Sequence, residues 1–353
     1  MILDELRIQQ FRLIQAATLT FEHATSAVIG ANGAGKTSVL EAAYFLSRTR
    51  SFRQSRSDRL IQHGTSKLTL FGRTTTQNRS HRLGVSVTQG SGTEIHLDGG
   101  RVDSAAEIAG ILPVQVLEPE LHRLISEGPE LRRRFIDYGV FHVEPTFLDS
   151  WRRYRQALKQ RNAALRMHQG PAALKAFEPA LIEAGGVVDG LRMGYVNLLA
   201  PHIREEAAAL GLNDIDVSYR PGWQGSTNFA EALEAAAARD AHNGTTTVGP
   251  HRADLRIRWR GRAAREQVSR GQQKLLAASL VLAQSRLLAS VNQTGILLLV
   301  DDPAAELDSR SLEALMARVL TVPGQRIITA IDASRSGLPD DCPQFSITEG
   351  VLS

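Results

Sequence analysis

The chain has 353 residues, of which 42% are hydrophobic and 22% charged, so it can bury one large core or a main unit and a smaller one. No apolar run approaches the roughly 20 residues of a membrane span, and charges come too early at the N-terminus for a signal peptide. The single cysteine, Cys342, excludes an internal disulfide and a cysteine-built metal site. We therefore expect a cytoplasmic protein without membrane contact, and the net charge of +4 is too mild to identify a partner.

Strands around a single helix are predicted for the N-terminal third. The alternation in LDELRIQQF indicates a first strand, and the apolar run SAVIG at residues 26–30 indicates another. KTSVLEAAYFLS at residues 36–47 has the spacing of a helix. The segments LTLFGRTT, HRLGVSVTQ and TEIHLDGGR are separated by turn residues and predict an antiparallel group.

The strand SAVIG and the helix that follows enclose GANGAGKTS, which fits the phosphate-loop pattern G-x-x-x-x-G-K-[ST]. Backbone N–H groups at the start of the helix can converge on a phosphate, where the helix dipole favours an anion. We expect Lys36 to bridge the β- and γ-phosphates of ATP and the Thr37 hydroxyl to ligate Mg²⁺. The predicted ATP-binding residues are Gly30, Ala31, Asn32, Gly33, Ala34, Gly35, Lys36, Thr37 and Ser38.

Arginines are concentrated just after this helix, at positions 48, 50, 53, 56 and 59, with a single acid, Asp58, among them. Such a cluster suits a polyphosphate or a nucleic acid. We predict DNA contact for Arg50, Arg53 and Arg56, while ATP contact or internal ion pairing stay open as alternatives for this segment.

The middle of the chain, residues 121–240, is rich in Ala, Leu, Arg and Glu at helical spacing, as in WRRYRQALKQRNAALRMHQ. The final third returns to strands with DLRIRWRG, ILLLV and QRIITAI, and helices are predicted from about residue 272 to 289 and from residue 309. We therefore predict an α/β head domain formed by residues 1–120 and 241–353. Residues 121–240 would be an inserted, mostly helical second domain.

The apolar strand at residues 297–300 ends in two aspartates within LLLVDDPAAELD. In P-loop hydrolases an aspartate at the end of a neighbouring apolar strand holds Mg²⁺. Asp301 is predicted to be that ligand, and Asp302 is predicted to polarise the attacking water. A helix N-cap or a plain loop carboxylate is the alternative for Asp302.

A further motif distinguishes among P-loop proteins. VSRGQQKLLAASLVLAQSRLL places Ser-x-Gly-Gln at a helix start, where a hydroxyl and N–H groups can meet an anion. Its place between the phosphate loop and the Asp-Asp strand resembles the ABC ATPases, whose signature motif caps the γ-phosphate held by the opposite subunit of a head-to-tail dimer. The residues that the resemblance assigns are Ser269, Arg270, Gly271 and Gln272 for the signature motif, and Glu306, Leu307 and Asp308 for the D-loop across the dimer interface.

Over essentially its whole length the chain is similar to the RecF family of bacterial DNA-repair ATPases, whose core resembles the head domains of SMC-type proteins. The opening LRIQQFRLIQAATLTF and the phosphate loop resemble the start of that family. EPELHRLISEGPELRRRFID resembles its P-E-D…G-x-P…R-R-x-F-x-D signature, with Leu121 in place of the usual acid. VGPHRADL resembles its G-P-H-R-x-D-L segment.

The resemblance implies an SMC-like, ABC-type P-loop head that forms an ATP-dependent homodimer. It implies binding of duplex or gapped DNA without sequence specificity, in recombinational repair, with RecR and RecO as partners and assistance to RecA loading at gaps. It also implies that Arg12 approaches the nucleotide, although a surface arginine is the alternative.

Departures from the wider ABC pattern predict slow hydrolysis that works as a timer, and with the RecF-like function we expect a weak ATPase that DNA stimulates. The usual hydrolytic glutamate is Asp302, whose side chain is one methylene shorter. The usual switch histidine has no counterpart in RIITAID at residues 326–332. The Q-loop residue stays open among Gln115, Glu118 and Glu120.

Two other classes of protein share the phosphate loop. The ATPase subunit of an ABC transporter would need a membrane-spanning partner, and the inserted segment at residues 121–240 speaks against it. A P-loop kinase would not require Ser-Arg-Gly-Gln. ATP-dependent dimerisation together with DNA binding would separate these alternatives.

Overall fold

Both terminal segments of the chain contribute to one folded unit, and the middle of the chain forms another. The computed structural model describes residues 3–76, 79–224, 227–292, 295–305, 307–333, 337–339 and 341–352. The first unit comprises Met1–His122, Ala209–Gly211 and Arg270–Ser353, and the second comprises Arg123–Ala208 and Leu212–Ser269.

The strands, in chain order, are β1 (Glu5–Phe11), β2 (Ile14–Thr20), β3 (Thr25–Ile29), β4 (Lys67–Thr76), β5 (Arg79–Thr88), β6 (Gly92–Leu97), β7 (Gly100–Val102), β8 (Val114–Leu117), β9 (Ile215–Arg220), β10 (Asp254–Trp259), β11 (Arg262–Ala263), β12 (Ile296–Val300), β13 (Gly324–Ala330), β14 (Gln344–Thr348) and β15 (Val351–Leu352). The predicted strands at both ends of the chain are among them.

The α-helices are α1 (Lys36–Arg48), α2 (Ala105–Ile111), α3 (Arg123–Ser126), α4 (Pro129–Val143), α5 (Phe147–Arg166), α6 (Pro171–Lys175), α7 (Glu178–Ala209), α8 (Phe229–Ala235), α9 (Ala237–Asn243), α10 (Ala264–Gln267), α11 (Arg270–Asn292) and α12 (Ser309–Leu320). Short 3₁₀ turns lie at Ser57–Leu60, Pro119–His122 and Pro250–Arg252.

A mostly parallel sheet forms the centre of the first unit, with the strand order β15-β14-β3-β13-β12-β8. β3, β8, β12, β13 and β14 run parallel, and β15 pairs antiparallel with β14. Every residue of β12 is buried, because strands covered on both faces require an unbroken apolar run. The order brings the ends of β3, β13 and β12 side by side, which sets the position of the site.

An antiparallel sheet, β2-β1-β4-β5-β6-β7, forms the other layer of the first unit. Helix α1 packs against strands of both sheets, including β1 and β13. The buried side chains of α1 join the two layers in one apolar core, which runs from Leu3 to Ile347 and includes Phe11 and Phe45. The helix after the phosphate loop is therefore held on both sides by sheet.

Helix α11 is the apolar centre of the C-terminal part of the first unit. Within the described residues its stretch Arg270–Val291 is long and apolar enough to cross a membrane by length and composition, because it contains an 18-residue window with a mean hydropathy of 1.3. Since 83% of that window is buried inside the fold, the helix has the character of a core helix.

The second unit combines helices α3–α10 with the sheet β11-β10-β9. The boundary at its end differs from the predicted one, because the unit continues to Ser269. Residues 254–259 were predicted to join the head, but β10 pairs antiparallel with β9 along its whole length. A strand belongs to the same unit as the strand with which it pairs, and the apolar pattern of DLRIRW does not show which strand that is.

The two family signature segments of the middle region contact each other within the second unit. Arg132 of α4 donates from Nε and Nη2 to the Asp254 carboxylate, at 2.7 and 3.1 Å. Arg192 of α7 pairs with Asp137 and donates to the Pro250 carbonyl at 2.6 Å. These residues of RRRFID and GPHRADL therefore form hydrogen bonds and ion pairs that stabilise the second unit.

Candidate active site

The predicted phosphate loop lies between β3 and α1, at the carboxyl edge of the parallel sheet. Gly35 precedes the helix with φ +113°, a conformation that a residue with a Cβ rarely adopts. A Cβ on Gly30 would lie 2.4 Å from the Ile347 carbonyl oxygen of β14. The Gly350 N–H donates to the Ala34 carbonyl at 2.8 Å, so the loop is supported by the β14–β15 hairpin.

The Lys36 ammonium lies over this loop. Its Nζ donates to the carbonyl oxygens of Gly30 and Ala31, at 2.8 and 2.9 Å. Burial lowers the pKa of Lys36, while the carboxylates of Asp302 and Asp301 act in the opposite direction. The lysine is thus a partly desolvated cation held beside two acids, which suits the attraction of a phosphate.

Thr37 and Asp301, the two predicted magnesium ligands, contact each other although they are far apart in the sequence. The Thr37 hydroxyl donates to the Asp301 carboxylate, with Oγ1 2.9 Å from Oδ1 and 3.0 Å from Oδ2. Asp301 is only 6% exposed. Burial raises the pKa of its carboxyl, and the hydrogen bonds from Thr329 and Thr37 oppose that rise.

The donor set of Thr37 and Asp301 fits Mg²⁺. A hydroxyl and a carboxylate are hard oxygen ligands, and Mg²⁺ commonly takes one or two protein carboxylates and completes its shell with substrate phosphates and water. The Thr37 hydroxyl donates its hydrogen bond to Asp301, and its oxygen keeps a lone pair that can ligate a metal.

Thr329 belongs to this group and was not predicted as a site residue. It is fully buried near the end of β13, the strand between β3 and β12. Its hydroxyl donates to Asp301 Oδ1 at 2.7 Å and accepts from the Asp302 N–H at 3.0 Å. In the sequence, residues 329–331 stand out only as the place where a switch histidine is missing.

Asp302 lies in the same pocket as Lys36 and has a left-handed backbone, with φ +43°. Asp308, and not Asp302, is the N-cap of the helix that follows. The alternative of Asp302 as a helix N-cap is therefore wrong, and Asp302 lines the pocket together with residues of the phosphate loop.

Arg12 and the loop after α1 are joined through Glu41, a fully buried residue of α1. Arg12 donates from Nε and Nη2 to the two Glu41 oxygens, at 2.6 and 2.8 Å. The Ser51 hydroxyl also donates to Glu41, and its oxygen accepts from the backbone N–H of Arg53 and Gln54, each at 2.8 Å. One carboxylate thus fixes both segments, and no local sequence pattern indicates this connection.

These side chains line one pocket of about 360 Å³. Its lining residues are Arg12, Leu13, Asn32, Gly33, Gly35, Lys36, Thr37, Ser38, Arg53, Pro119, Asp301 and Asp302. Arg53, predicted as a DNA contact, lies here beside the phosphate loop, in line with the ATP alternative left open for its segment. Arg12 lies in the pocket as the resemblance implied.

The other predicted DNA contacts lie outside this pocket. Arg56 pairs with Asp58, with Nε 3.1 Å from Oδ1, and both side chains are exposed to solvent. Arg50 is exposed as well. Internal pairing, the other alternative for the arginine segment, therefore applies to Arg56.

The predicted signature motif lies at the start of α11. Ser269 and Arg270 are exposed, and α11 begins at Arg270. Among the described residues that line the pocket, none is Arg270, Gly271 or Gln272. This arrangement suits a motif that acts on a second subunit.

The predicted D-loop is described at Leu307 and Asp308, whereas Glu306 lies outside the described residues. Asp308 is the N-cap of α12, and its Oδ1 accepts from the Ser311 N–H at 2.9 Å. The Lys274 ammonium of α11 donates to the Ala305 carbonyl just before this segment. No sequence motif indicates this contact of Lys274.

Gln115, the nearest glutamine for a Q-loop, lies on β8 and is buried. Its amide donates to the Gln284 side chain of α11. It is not among the described residues that line the pocket. Pro119 is the lining residue from the segment that follows β8. Gln115 therefore has a packing role in this structure.

Comparisons with known proteins cover nearly the whole chain. The family model described as RecF/RecN/SMC N terminal domain matches residues 2–342. The "DNA replication and repair protein RecF" of Hydrogenovibrio crunogenus (strain DSM 25203 / XCL-2) is 38% identical over 331 residues, which are 92% of this chain and 91% of that protein.

Solved structures show the same fold. A structure of the recombination mediator protein RecF-ATP in the RecFOR pathway superposes with a TM-score of 0.90 at 23% identity, covering 100% of this chain and 97% of that one. The SmcHead bound to the C-winged helix domain of ScpA superposes with a TM-score of 0.60 at 16% identity, covering 100% and 97%. The chain thus has the fold of an SMC-like ABC-type ATPase head, and it belongs to the RecF family.

Proposed function

We propose that the chain is an ATP-dependent DNA-binding protein of recombinational repair. The observation that carries this proposal is the convergence of Lys36, Thr37, Asp301 and Asp302 on one pocket at the carboxyl edge of the sheet. Relatives that match the chain over most of its length are named DNA replication and repair protein RecF. The full-length likeness to RecF proteins favours this function over that of a transporter ATPase.

ATP would bind with its phosphates on the loop at residues 30–38. Lys36 and Arg12 supply positive charge, and the N-terminus of α1 supplies N–H groups and its dipole. Arg53 lines the same pocket and adds a third cation. Thr37 and Asp301 would hold Mg²⁺, which neutralises charge on the β- and γ-phosphates when it is bound.

Hydrolysis would depend on Asp302. Its carboxylate is the group at the pocket that can orient and polarise a water molecule for attack on the γ-phosphate. Because aspartate is one methylene shorter than glutamate, we expect efficient attack only when a second subunit closes the site. The turnover number should lie well below the enzyme median of about 10 s⁻¹, as a timer requires.

The second subunit would complete the site with Ser269, Arg270, Gly271 and Gln272. The exposed position of Ser269 and Arg270 at the start of α11 supports this assignment. A head-to-tail pair places each signature motif on the nucleotide of the other copy, so a two-fold dimer holds two ATP molecules.

The ATP-bound dimer would bind duplex DNA or a single-strand/duplex junction in the cytoplasm and assist RecA loading at gaps. RecR and RecO are the proposed protein partners, in agreement with the RecFOR pathway named for the structural relative. We expect phosphate contacts to dominate, so that the logarithm of the binding constant falls linearly with the logarithm of the salt concentration.

Molar mass in solution tests this function. Size-exclusion chromatography with light scattering should give a monomer without nucleotide and a dimer with MgATP. Fluorescence anisotropy with a junction DNA should then show tight binding only in the presence of ATP.

Lys36→Met, which removes the phosphate-loop cation, is the control and should stay monomeric with ATP. A wild-type chain that stays monomeric at saturating ATP, or that binds DNA equally well without nucleotide, would contradict the proposal.

A further inference from the structure

Thr329 occupies a central place at the edge of the parallel sheet. β13 lies between β3, which leads to the phosphate loop, and β12, which leads to Asp301 and Asp302. Thr329 is the next-to-last residue of β13 and is completely buried. Burial of a hydroxyl at such a position costs folding free energy unless the hydroxyl forms hydrogen bonds.

The Thr329 hydroxyl is satisfied in both of its capacities. It donates to Asp301 Oδ1 at 2.7 Å, so its single proton is committed to that carboxylate. Its oxygen accepts the Asp302 N–H at 3.0 Å. One hydroxyl therefore binds the side chain of the first aspartate and the backbone of the second.

The backbone that it holds is a strained one. Asp302 has φ +43°, in the left-handed region that non-glycine residues adopt infrequently. Such a conformation persists where surrounding contacts enforce it, and it is common in residues of active sites. The bond from the Asp302 N–H to Thr329 is a contact of this kind.

We infer that Thr329 is a positioning residue for ATP hydrolysis. By binding the Asp302 N–H, it fixes the backbone of Asp302 and thereby sets the direction of the Asp302 carboxylate. By donating to Asp301, it holds that carboxylate in the orientation in which it also accepts from Thr37. This inference rests on the proposed function and deepens it. Through Asp302, this threonine of β13 contributes to the alignment of the attacking water.

The pair Thr329→Val and Thr329→Ser separates the hydroxyl from the shape of the side chain. Valine keeps the volume and the β-branch but removes both hydrogen bonds, whereas serine keeps the hydroxyl. We expect the rate of phosphate release in a single turnover, with MgATP and junction DNA, to fall about 10- to 100-fold in Thr329→Val, since small misplacements of catalytic groups have effects of this size. Thr329→Ser should recover most of the rate.

ATP affinity distinguishes alignment from general damage. Thr329→Val leaves the cations and the phosphate loop unchanged. The Kd for ATP, measured by fluorescence titration, should therefore change by less than about threefold, because the binding of ground-state ATP is almost unaffected. The ATP-induced dimer of Thr329→Val should form normally and persist longer than the wild-type dimer, as it should in Asp302→Asn.

Thr74 provides a matched control in the same unit. It is also fully buried in a strand, but its hydroxyl has no hydrogen-bond partner among the described residues. Thr74→Val makes the same chemical change away from the pocket and should leave the rate of phosphate release and the dimer lifetime unchanged.

Two results overturn the inference. One is hydrolysis of ATP by Thr329→Val at the wild-type rate, and the other is a Thr329→Ser variant as slow as the valine variant. If the wild-type chain binds or hydrolyses no ATP, the proposed function fails and the inference fails with it. Wild-type hydrolysis with an unaffected valine variant overturns the inference alone.

Discussion

Glu41 is a buried carboxylate that serves two cationic segments at once. Arg12 meets it with two hydrogen bonds, and Ser51 connects it to the backbone at Arg53. Removing one partner of a buried ion pair leaves an uncompensated charge, which is costly because water cannot replace the partner. The residue therefore affects both the stability of the head and the charge in the pocket.

Glu41→Gln, which keeps the shape and removes the charge, should lower the free energy of unfolding by about 2–4 kcal/mol. It should also weaken ATP binding several-fold, because Arg12 and the Arg53 loop lose their common anchor. Urea denaturation and a fluorescent ATP titration measure the two effects.

Glu22→Gln is the matched control, since Glu22 is exposed in the same unit and should tolerate the change. Wild-type stability together with wild-type ATP affinity in Glu41→Gln would show that the pair contributes nothing.

Individual site residues differ in how far the sequence could predict them. Lys36 and Thr37 belong to a contiguous motif whose chemistry depends on local backbone, and Asp301 ends a recognisable buried strand. Thr329 and Glu41 act through partners from distant segments, and only the strand order β3-β13-β12 and the packing of α1 bring these together. No local pattern marks such residues.

At the scale of elements, α12 begins with a side-chain cap. The Asp308 carboxylate accepts from the Ser311 N–H and from its hydroxyl, each at 2.9 Å. These hydrogen bonds lower the pKa of Asp308. The same residue lies in the predicted D-loop, so one aspartate starts a helix and presents that loop.

Asp308→Ala should reduce Tm by a few degrees, because the first turn of α12 loses its cap. Differential scanning calorimetry measures this change. Ser309→Ala, at the next exposed position, should have a much smaller effect, and equal Tm values for the two variants would rule out the capping role.

The GPHR segment of the second unit contains a histidine that the fold keeps neutral. Burial lowers the pKa of His251 to about 4, and the neighbouring Arg252 and Arg133 act in the same direction against Asp240. His251 Nε2 lies 2.9 Å from the Thr246 carbonyl, and Nδ1 lies 2.7 Å from the Tyr154 hydroxyl. A neutral ring satisfies both, as donor to the carbonyl and acceptor from the phenol.

This arrangement makes stability depend on pH in a defined direction. The unfolded chain binds a proton at His251 near pH 6.5, but the folded chain does so only near pH 4, so the stabilisation is complete above pH 6.5 and is lost as the pH falls between these values. The loss from this group amounts to at most about 3 kcal/mol. Urea denaturation at pH 7.5 and pH 5 should show a smaller difference for His251→Gln than for wild type, and an equal difference would exclude this source.

At the scale of the whole molecule, the proposed signature motif would decide whether two copies can close on ATP. Ser269→Arg should abolish the ATP-dependent increase in molar mass, since a long cation replaces a small hydroxyl at the partner's γ-phosphate. ATP binding to the monomer should stay within about threefold of wild type, because the variant leaves the phosphate loop intact. Arg265→Ala, an exposed change a few residues earlier, should dimerise normally, whereas dimerisation of Ser269→Arg would refute the signature assignment.

The division into units was only partly accessible from sequence. The composition changes near residue 121, and the first unit ends at His122 in the structure. The second boundary lies at Ser269 because β10 takes its partner from the middle of the chain, a long-range choice that an amphipathic strand does not encode by itself.

The phosphate loop depends on residues from the far end of the sequence. The Ile347 carbonyl packs against Gly30, Gly350 bonds to Ala34, and Asp301 bonds to Thr37. A ribosome-bound nascent chain that has emerged only as far as the second unit therefore carries the motif without its supports. We therefore expect that nucleotide does not assist the early steps of folding during translation, and that a fragment that contains GANGAGKTS alone does not bind ATP.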